Sequence, residues 1–493
     1  MTACFQIAPI RRRLSARWLA ALLLTILTSA VVAAGPVHAG SAGAGSGRTA
    51  AESAAVGFLL FDVETGGVVE ARDADRPFIP ASVAKLPTVV AALALLGPDH
   101  RFTTRLLGAG PLRDGVLHGD LVLQGGGDPS LATEGLLRLV EGLRAVGLRR
   151  VEGRLLYDGG PLPELPEIDA GQPWAAPYNT GVGALSLNYN RALLAWRRGA
   201  DGRLAPEALT VADAGRLPLD SVTALPAAAG AFPLLPDGAD RWRVAAAAAA
   251  GPESGAVWVP VARPGLAAAT LFRRLAADAG IALAPPLPGR APPGAAVLAA
   301  LDSPPLTDLA RGLLRHSNNL SAEVIGLAAA RRLDPSVTTL ERSAALLQGW
   351  LTQRPAPDGH GAAGGWAGLR LANHSGLGTG SRATPRQMAA LLRAGGPALW
   401  ELLPGEEDGK ALPAGVHAKS GTLAYVKGLA GVLTASSGRR LGFVLFIADP
   451  ERRAALDAAL DRRVTATPPE ARAWAVHARA VQTETLDRWV AGY

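Results

Sequence analysis

Three short stretches of this chain carry side chains able to act together on a carbonyl group. The first pairs Ser82 with Lys85, a spacing of three that puts both side chains on one face at the start of a helix. A serine hydroxyl is a weak nucleophile at neutral pH and needs an adjacent base. Burial lowers a lysine pKa by up to about 3–5 units, which leaves the amine neutral and able to take that proton. Backbone N–H groups at a helix N-terminus also favour a developing oxyanion. The ordinary alternative is a serine and a lysine on a solvated helix face.

The second stretch, Ser317-Asn318-Asn319, offers a hydroxyl and an amide between two predicted helices. Serine and asparagine fill helix N-caps routinely, so taken alone it reads as a cap. The third, Lys419-Ser420-Gly421-Thr422, opens an apolar alternating run as an edge strand would, and Gly421 lets a ligand approach closely. Taken alone it is a solvated strand end. Lysine usage changes the weight of these stretches. Only Lys85, Lys410, Lys419 and Lys427 occur, against 45 arginines, so a retained lysine is a candidate for work that arginine cannot do, namely losing its proton or acting as a compact ammonium.

Ser-x-x-Lys, then Ser-x-Asn, then Lys-Ser/Thr-Gly is the signature of the serine penicillin-recognising enzymes. The 235 residues between Ser82 and Ser317 narrow the match, and the chain resembles the low-molecular-mass class C penicillin-binding proteins, the D-alanyl-D-alanine carboxypeptidase/endopeptidase family. Further echoes are Pro80-Ala81-Ser82-Val83-Ala84-Lys85, Gly126-Gly127-Asp128-Pro129, the run from His316 to Glu323, and Ser375-Gly376-Leu377. The resemblance implies a β-lactamase/transpeptidase-like domain in which Ser82 attacks the carbonyl between two terminal D-alanines with Lys85 as base. It implies that Ser317 and Asn319 relay a proton and position substrate, and that Lys419 supplies positive potential. Ser420 and Thr422 would bind the terminal carboxylate beside Gly421, and the N–H groups of Ser82 and Thr422 would form the oxyanion hole. Peptidoglycan peptide stems and β-lactams are the implied partners, and no metal or organic cofactor is implied. His316 and His374, beside the motifs, read as structural. One departure concerns Thr379, where an arginine that can contact substrate is usual in the family; Arg382 is the nearby substitute. Two other readings stay open: a β-lactamase or esterase on the same scaffold, and a catalytically idle peptidoglycan-binding protein.

The elements that must position these residues follow from patterning. Residues 56–61 and 68–71 read as a hairpin, 82–96 as a helix stopped by Gly97-Pro98, and 307–315 and 320–332 as helices flanking the second motif. Thr384-Pro385 opens a helix to about residue 394, residues 429–434 and 441–448 form a second hairpin, and 470–490 a closing helix. Helices against an antiparallel sheet built from both chain ends make an α+β fold. Residues 101–300 have a different texture of short strands and turns. There the strand at 121–123 runs into Gly125-Gly126-Gly127-Asp128-Pro129, a turn rather than a phosphate cradle, because no Gly-Lys-Ser/Thr follows and the proline removes an N–H donor. The expected division is a catalytic domain over 53–100 plus 301–493 with residues 101–300 as a large β-rich insertion.

Composition is consistent with this. The 493 residues are 49% hydrophobic and 18% charged, which excludes a disordered chain or a coiled coil, and the length suggests two or three domains. The net charge of +7 is inflated by Arg11, Arg12, Arg13 and Arg17; without residues 1–39 the remaining 45 basic and 42 acidic residues give +3. No basic stripe with interleaved aromatics remains, so nucleic acid is not an expected partner. The arginine-rich start, the apolar run at 18–34 and Val37-His38-Ala39 match a secretory signal peptide over 1–39, followed by a flexible leader at 40–52. A periplasmic or otherwise extracytoplasmic location follows. No transmembrane segment is expected in the mature chain unless that signal stays uncleaved. Cys4, the sole cysteine, would leave with it, so neither a disulfide nor a thiolate nucleophile is available.

Overall fold

Apolar alternation assembles the central sheet. In the strand Ala55–Asp62, Phe58 and Leu60 point to one face while Leu59 and Phe61 point to the other, and all four are buried. Arg440–Ala448 repeats the pattern, with Phe443 and Leu445 on the first face and Val444 and Phe446 on the second. A strand apolar on both faces must be covered on both, and these two lie side by side in the middle. The computed structural model describes residues 54–227, 232, 234–245, 254–353 and 365–493. The expected signal peptide and leader, with Cys4, lie outside the described residues.

The sheet has five antiparallel strands in the order Val416–Leu423, Val426–Thr434, Arg440–Ala448, Ala55–Asp62, Val68–Arg72. Two strands come from the start of the chain and three from its end. The third motif lies on the edge strand, as its sequence suggests. The helix Pro469–Gly492 covers one face through Ala471, Trp474, Ala478, Gln482, Leu486 and Trp489, a spacing of three and four that makes a single stripe. Trp489 is fully buried edge-on against Phe58, with ring centroids 5.4 Å apart, and its Nε1 donates to Glu70 at 2.8 Å.

The opposite face carries the helices Lys85–Leu96, Asn319–Leu333 and Pro385–Trp400 in one core with Val83, Leu86, Ile325 and Met388. Residues 85–92 are all buried, as a helix apolar all round should be. The expected helix from 82 is split: Ala81–Ala84 is a 3-10 turn, and the α-helix starts at Lys85. Thr384 and Gln387 close a reciprocal capping box on the third helix. That helix continues past the expected end near 394 to Trp400, through a kink at Gly396 and Pro397.

Between Thr103 and Asp302 the described residues form four further sheets, none sharing a strand with the first. The largest contains a βαβ unit, in which Asp120–Gln124 and Leu155–Asp158 run parallel and flank the helix Thr133–Ala145 in sequence. One stretch leaves these sheets: Leu162, Ile168, Val182 and Ala184 pack against Leu320, Val324, Leu327 and Leu377. The architecture is α+β, a helix-flanked antiparallel sheet with a long β-rich segment between the part that bears Ser82 and the part that bears Ser317.

Because Trp489 fills the interface between the closing helix and the sheet, Trp489→Ala is expected to cost about 3–5 kcal/mol. A lowered urea midpoint, with Trp489→Phe recovering most of the loss, is the corresponding measurement.

Candidate active site

Ser82 sits in the 3-10 turn that leads into the Lys85–Leu96 helix. The residue before it, Ala81, has φ 47°, a left-handed conformation that is disfavoured by about 1–2 kcal/mol for a residue with a Cβ. Packing holds it there from two sides. Gly376, with φ 71°, lies so close that a Cβ would collide with the Ala81 carbonyl. Gly421 of the edge strand lies where a Cβ would stand 2.7 Å from the Pro80 oxygen and 2.9 Å from the Ser82 nitrogen. The second glycine is what lets the third motif reach the first.

The Lys85 side chain is completely buried. Its Nζ lies 3.0 Å from Ser82 Oγ, 2.8 Å from Asn319 Oδ1 and 2.7 Å from the Ser375 carbonyl oxygen. The last two are pure acceptors, so they take two of the amine's hydrogens whatever its charge. The remaining position, a third hydrogen or a lone pair, faces Ser82. Burial pulls the Lys85 pKa down to about 7, against an opposing pull from Glu323. Asn319 is oriented from both ends, since its Nδ2 donates to the Tyr178 carbonyl at 3.1 Å.

Glu323, one helical turn beyond Asn319, is also fully buried. Its two oxygens accept the N–H groups of His374 at 3.0 Å and Ser375 at 2.9 Å, so it grips the turn whose carbonyl binds Lys85. Burial raises its pKa to about 7, opposed by those hydrogen bonds and by Lys85. Motif reasoning assigned Glu323 no role. The available signal was an acid in a helix whose neighbours, Leu320 to Leu327, are otherwise apolar or small. His374 is buried and shares a 2.7 Å hydrogen bond with Ser343, and burial drives its pKa down to about 3, so its ring is neutral and packed.

The second motif resolves the capping question by dividing the work. Asn318 is the N-cap of Asn319–Leu333, its side chain accepting from Ser321 N at 2.9 Å. Ser317 ends the preceding helix in a left-handed conformation, φ 54°. The side chains of Ser317 and Asn319 are thereby left free of capping, and both line the cleft with Ser82.

In the third motif Lys419 is buried, and its pKa is lowered by burial and by the like charges of Lys85 and Lys410. Its Nζ donates to the Ser420 carbonyl at 2.5 Å rather than to Ser82 or Ser317. Ser420 and Thr422 are exposed, and Thr422 lines the cleft. Arg382, the sequence-level substitute for an arginine at Thr379, folds onto the carbonyls of Thr379 and Ser381. The cleft, about 920 Å³, runs from Ser82 between Gly376–Gly380 and the 453–475 stretch, with Asp169 and Tyr178 of the long inserted segment in its wall. Among the described residues no cluster of three or more His, Cys, Asp or Glu is placed to hold a metal ion, and no helix is long and apolar enough to cross a membrane.

The chain is similar to several known proteins. A D-alanyl-D-alanine carboxypeptidase of Actinomadura sp. is 40% identical over 110 residues, covering 22% of this chain and 20% of the relative. A carboxypeptidase of Mycobacterium tuberculosis is 28% identical over 429 residues, 80% of this chain and 77% of the relative. A D-alanyl-D-alanine carboxypeptidase of Haemophilus influenzae is 30% identical over 107 residues, so the matched stretch spans about a fifth of each of the two relatives aligned over short stretches. The crystal structure of penicillin-binding protein 4 from H. influenzae superposes with a TM-score of 0.68 at 21% identity, covering 81% of this chain and 91% of that one, which places the fold. With its residues 48–467 matching, this chain belongs to the D-Ala-D-Ala carboxypeptidase 3 (S13) family.

Proposed function

We propose that this protein is a serine-type D-Ala-D-Ala carboxypeptidase with endopeptidase capability, acting outside the cytoplasm on peptidoglycan peptide stems through an acyl-enzyme at Ser82, and acylated by β-lactams. The observation that carries the reading is the buried Lys85 amine, with two hydrogens committed to carbonyl oxygens and its third position at Ser82 Oγ. Once neutral, that amine has only its lone pair to present to the hydroxyl. Family membership supports the substrate class. The arginine-rich and then apolar start of the sequence supports export.

In the first step Ser82 Oγ bonds to the carbonyl carbon between the two D-alanines while its proton passes to Lys85 Nζ. Ser317 then relays that proton from Lys85 to the leaving amine as the C–N bond breaks, which leaves Lys85 neutral again. Water, giving its proton back to Ser82 Oγ by way of Lys85, hydrolyses the ester to release a carboxylate and restore Ser82. The N–H groups of Ser82 and Thr422 hold the oxyanion, an assignment supported by the close approach of Gly421 to the Ser82 nitrogen. Asn319 positions the substrate and Lys85 together. Lys419 contributes positive potential, and Ser420 and Thr422 receive the terminal carboxylate. The catalytic part is assigned to 53–100 plus 301–493, and residues 101–300 to an accessory part that lends Asp169 and Tyr178 to the cleft. The steps call for no metal or organic cofactor.

Treatment with benzylpenicillin should add one mass equivalent to the peptide holding Ser82 and none in Ser82→Ala. An adduct elsewhere, or none in the parent, sinks the assignment, and loss of the adduct within seconds would favour a β-lactamase. The pH profile is a second check. Below about pH 7 Lys85 is an ammonium with no lone pair, so acylation should rise with pH through that point and level off. Lys85→Met should lower the plateau by about 10²–10⁴. In Glu323→Gln the carboxylate that favours the charged amine is gone, so the midpoint should move to lower pH, while a midpoint that stays put or rises contradicts the account.

A further inference from the structure

Two lysines, Lys410 and Lys427, are employed by neither the motifs nor the proposed mechanism; Lys410 is engaged with the Arg315 carbonyl, and Lys427 stands beside the third motif. It lies on Val426–Thr434, directly opposite Thr422 of the edge strand, a register that sets the two side chains on the same face. It is only 6% exposed, yet no carboxylate among the described residues lies within ion-pair distance. Its Nζ donates to Thr422 Oγ1 at 3.0 Å. The charged group that faces it from the closing helix is Arg479, of the same sign, and burial together with that arginine lowers its pKa to about 8. A buried cation without an anion is an unfavourable arrangement that an incoming anion would relieve.

We propose that Lys427 is a positioning residue for the terminal carboxylate of the substrate, acting through the Thr422 hydroxyl. The inference rests on the reading that the cleft binds D-Ala-D-Ala stems. An ammonium has only donors, so a hydroxyl that accepts from it must aim its own hydrogen elsewhere. Thr422 is exposed and lines the cleft, and its hydroxyl has no acceptor among the described residues. Lys427 therefore turns Thr422 Oγ1 into a donor pointing at the space beside Ser82, and places a positive charge directly behind it. A hydroxyl without that neighbour rotates freely between donor and acceptor roles. Among the other cations near the cleft, Lys419 is engaged with the Ser420 carbonyl, Arg382 with the carbonyls of its own loop, and Arg453 with the Ala424 carbonyl and Asp457, while the exposed Arg472 stands in the same wall without being tied to Thr422. A compact ammonium suits the role, whereas the broad fork of an arginine would need room that a position 6% exposed does not offer.

The test uses two thioesters with the same acyl-D-alanyl group, one on a leaving thiol with a free carboxylate, the other with that carboxylate amidated. The readout is the ratio of their kcat/KM values in the full chain. Lys427→Met is expected to collapse the preference for the carboxylate at least tenfold, chiefly through KM, with Lys427→Arg recovering part of it. Thr422→Val, at an exposed position that tolerates the change, is expected to produce the same collapse, and the double variant little more than either single one. A ratio unchanged in Thr422→Val or in a folded Lys427→Met overturns the inference, as does an equal loss on both thioesters. Failure of the parent protein to turn over either thioester would instead overturn the functional reading on which it rests.

Discussion

The arrangement at Lys85 depends on a single constraint: a primary amine, removed from water, with two of its hydrogens tied to carbonyl oxygens. Burial makes the neutral form accessible, and the carbonyls of Asn319 and Ser375 decide where its lone pair points. Neither effect suffices alone. A buried amine free to rotate would satisfy itself on any acceptor, and a well-directed amine in water would keep its proton. Much of the surrounding structure serves these two acceptors. Tyr178 fixes the Asn319 amide from outside, and Glu323 fixes the Ser375 carbonyl by gripping the N–H groups of its turn.

Charge is distributed around this amine with little redundancy. Glu323 is the carboxylate that stabilises charge on Lys85, while Lys419 is itself destabilised by Lys85 and Lys410. All four lysines of the chain thus act in one region, with Lys410 donating to the Arg315 carbonyl just before the second motif and Lys427 to Thr422. Many arginines, by contrast, serve in exposed ion pairs away from the site, as in Arg386 with Asp75 and Arg488 with Glu70.

The long inserted segment is more than an attachment. Leu162, Ile168, Val182 and Ala184 pack on the helix that carries Asn319, and the same stretch brings Tyr178 and Asp169 to the cleft. Arg462 ties it to the other wall, donating to the Gln172 carbonyl at 2.7 Å and stacking over Trp174 at 5.6 Å. The segment therefore shapes the cleft beside Ser82, and through Tyr178 it holds the amide that Lys85 leans on.

Local pattern did not single out the helices Thr133–Ala145, Pro264–Asp278, Leu340–Thr352 and Pro450–Ala458. It was enough to give the hairpins at both chain ends, the helices around the second motif and the three motifs, because alternation, capping residues and glycine stops act within a few positions of themselves. The edge position of Lys419 was legible for that reason, as was the hairpin after it. The conspicuous scarcity of lysine also marked Lys427, although not what it touches. Other features were settled only by packing. The left-handed Ala81 packed under Gly376 and Gly421, the turn of Asn319 to Lys85 rather than to a cap, and the grip of Glu323 on Ser375 all require partners far away in the chain, the nearest of them 52 positions off. A carboxylate in a helix looks the same in sequence whether it faces water or a buried amine. Its burial, and with it the pKa of the lysine it faces, is a property of the folded core alone.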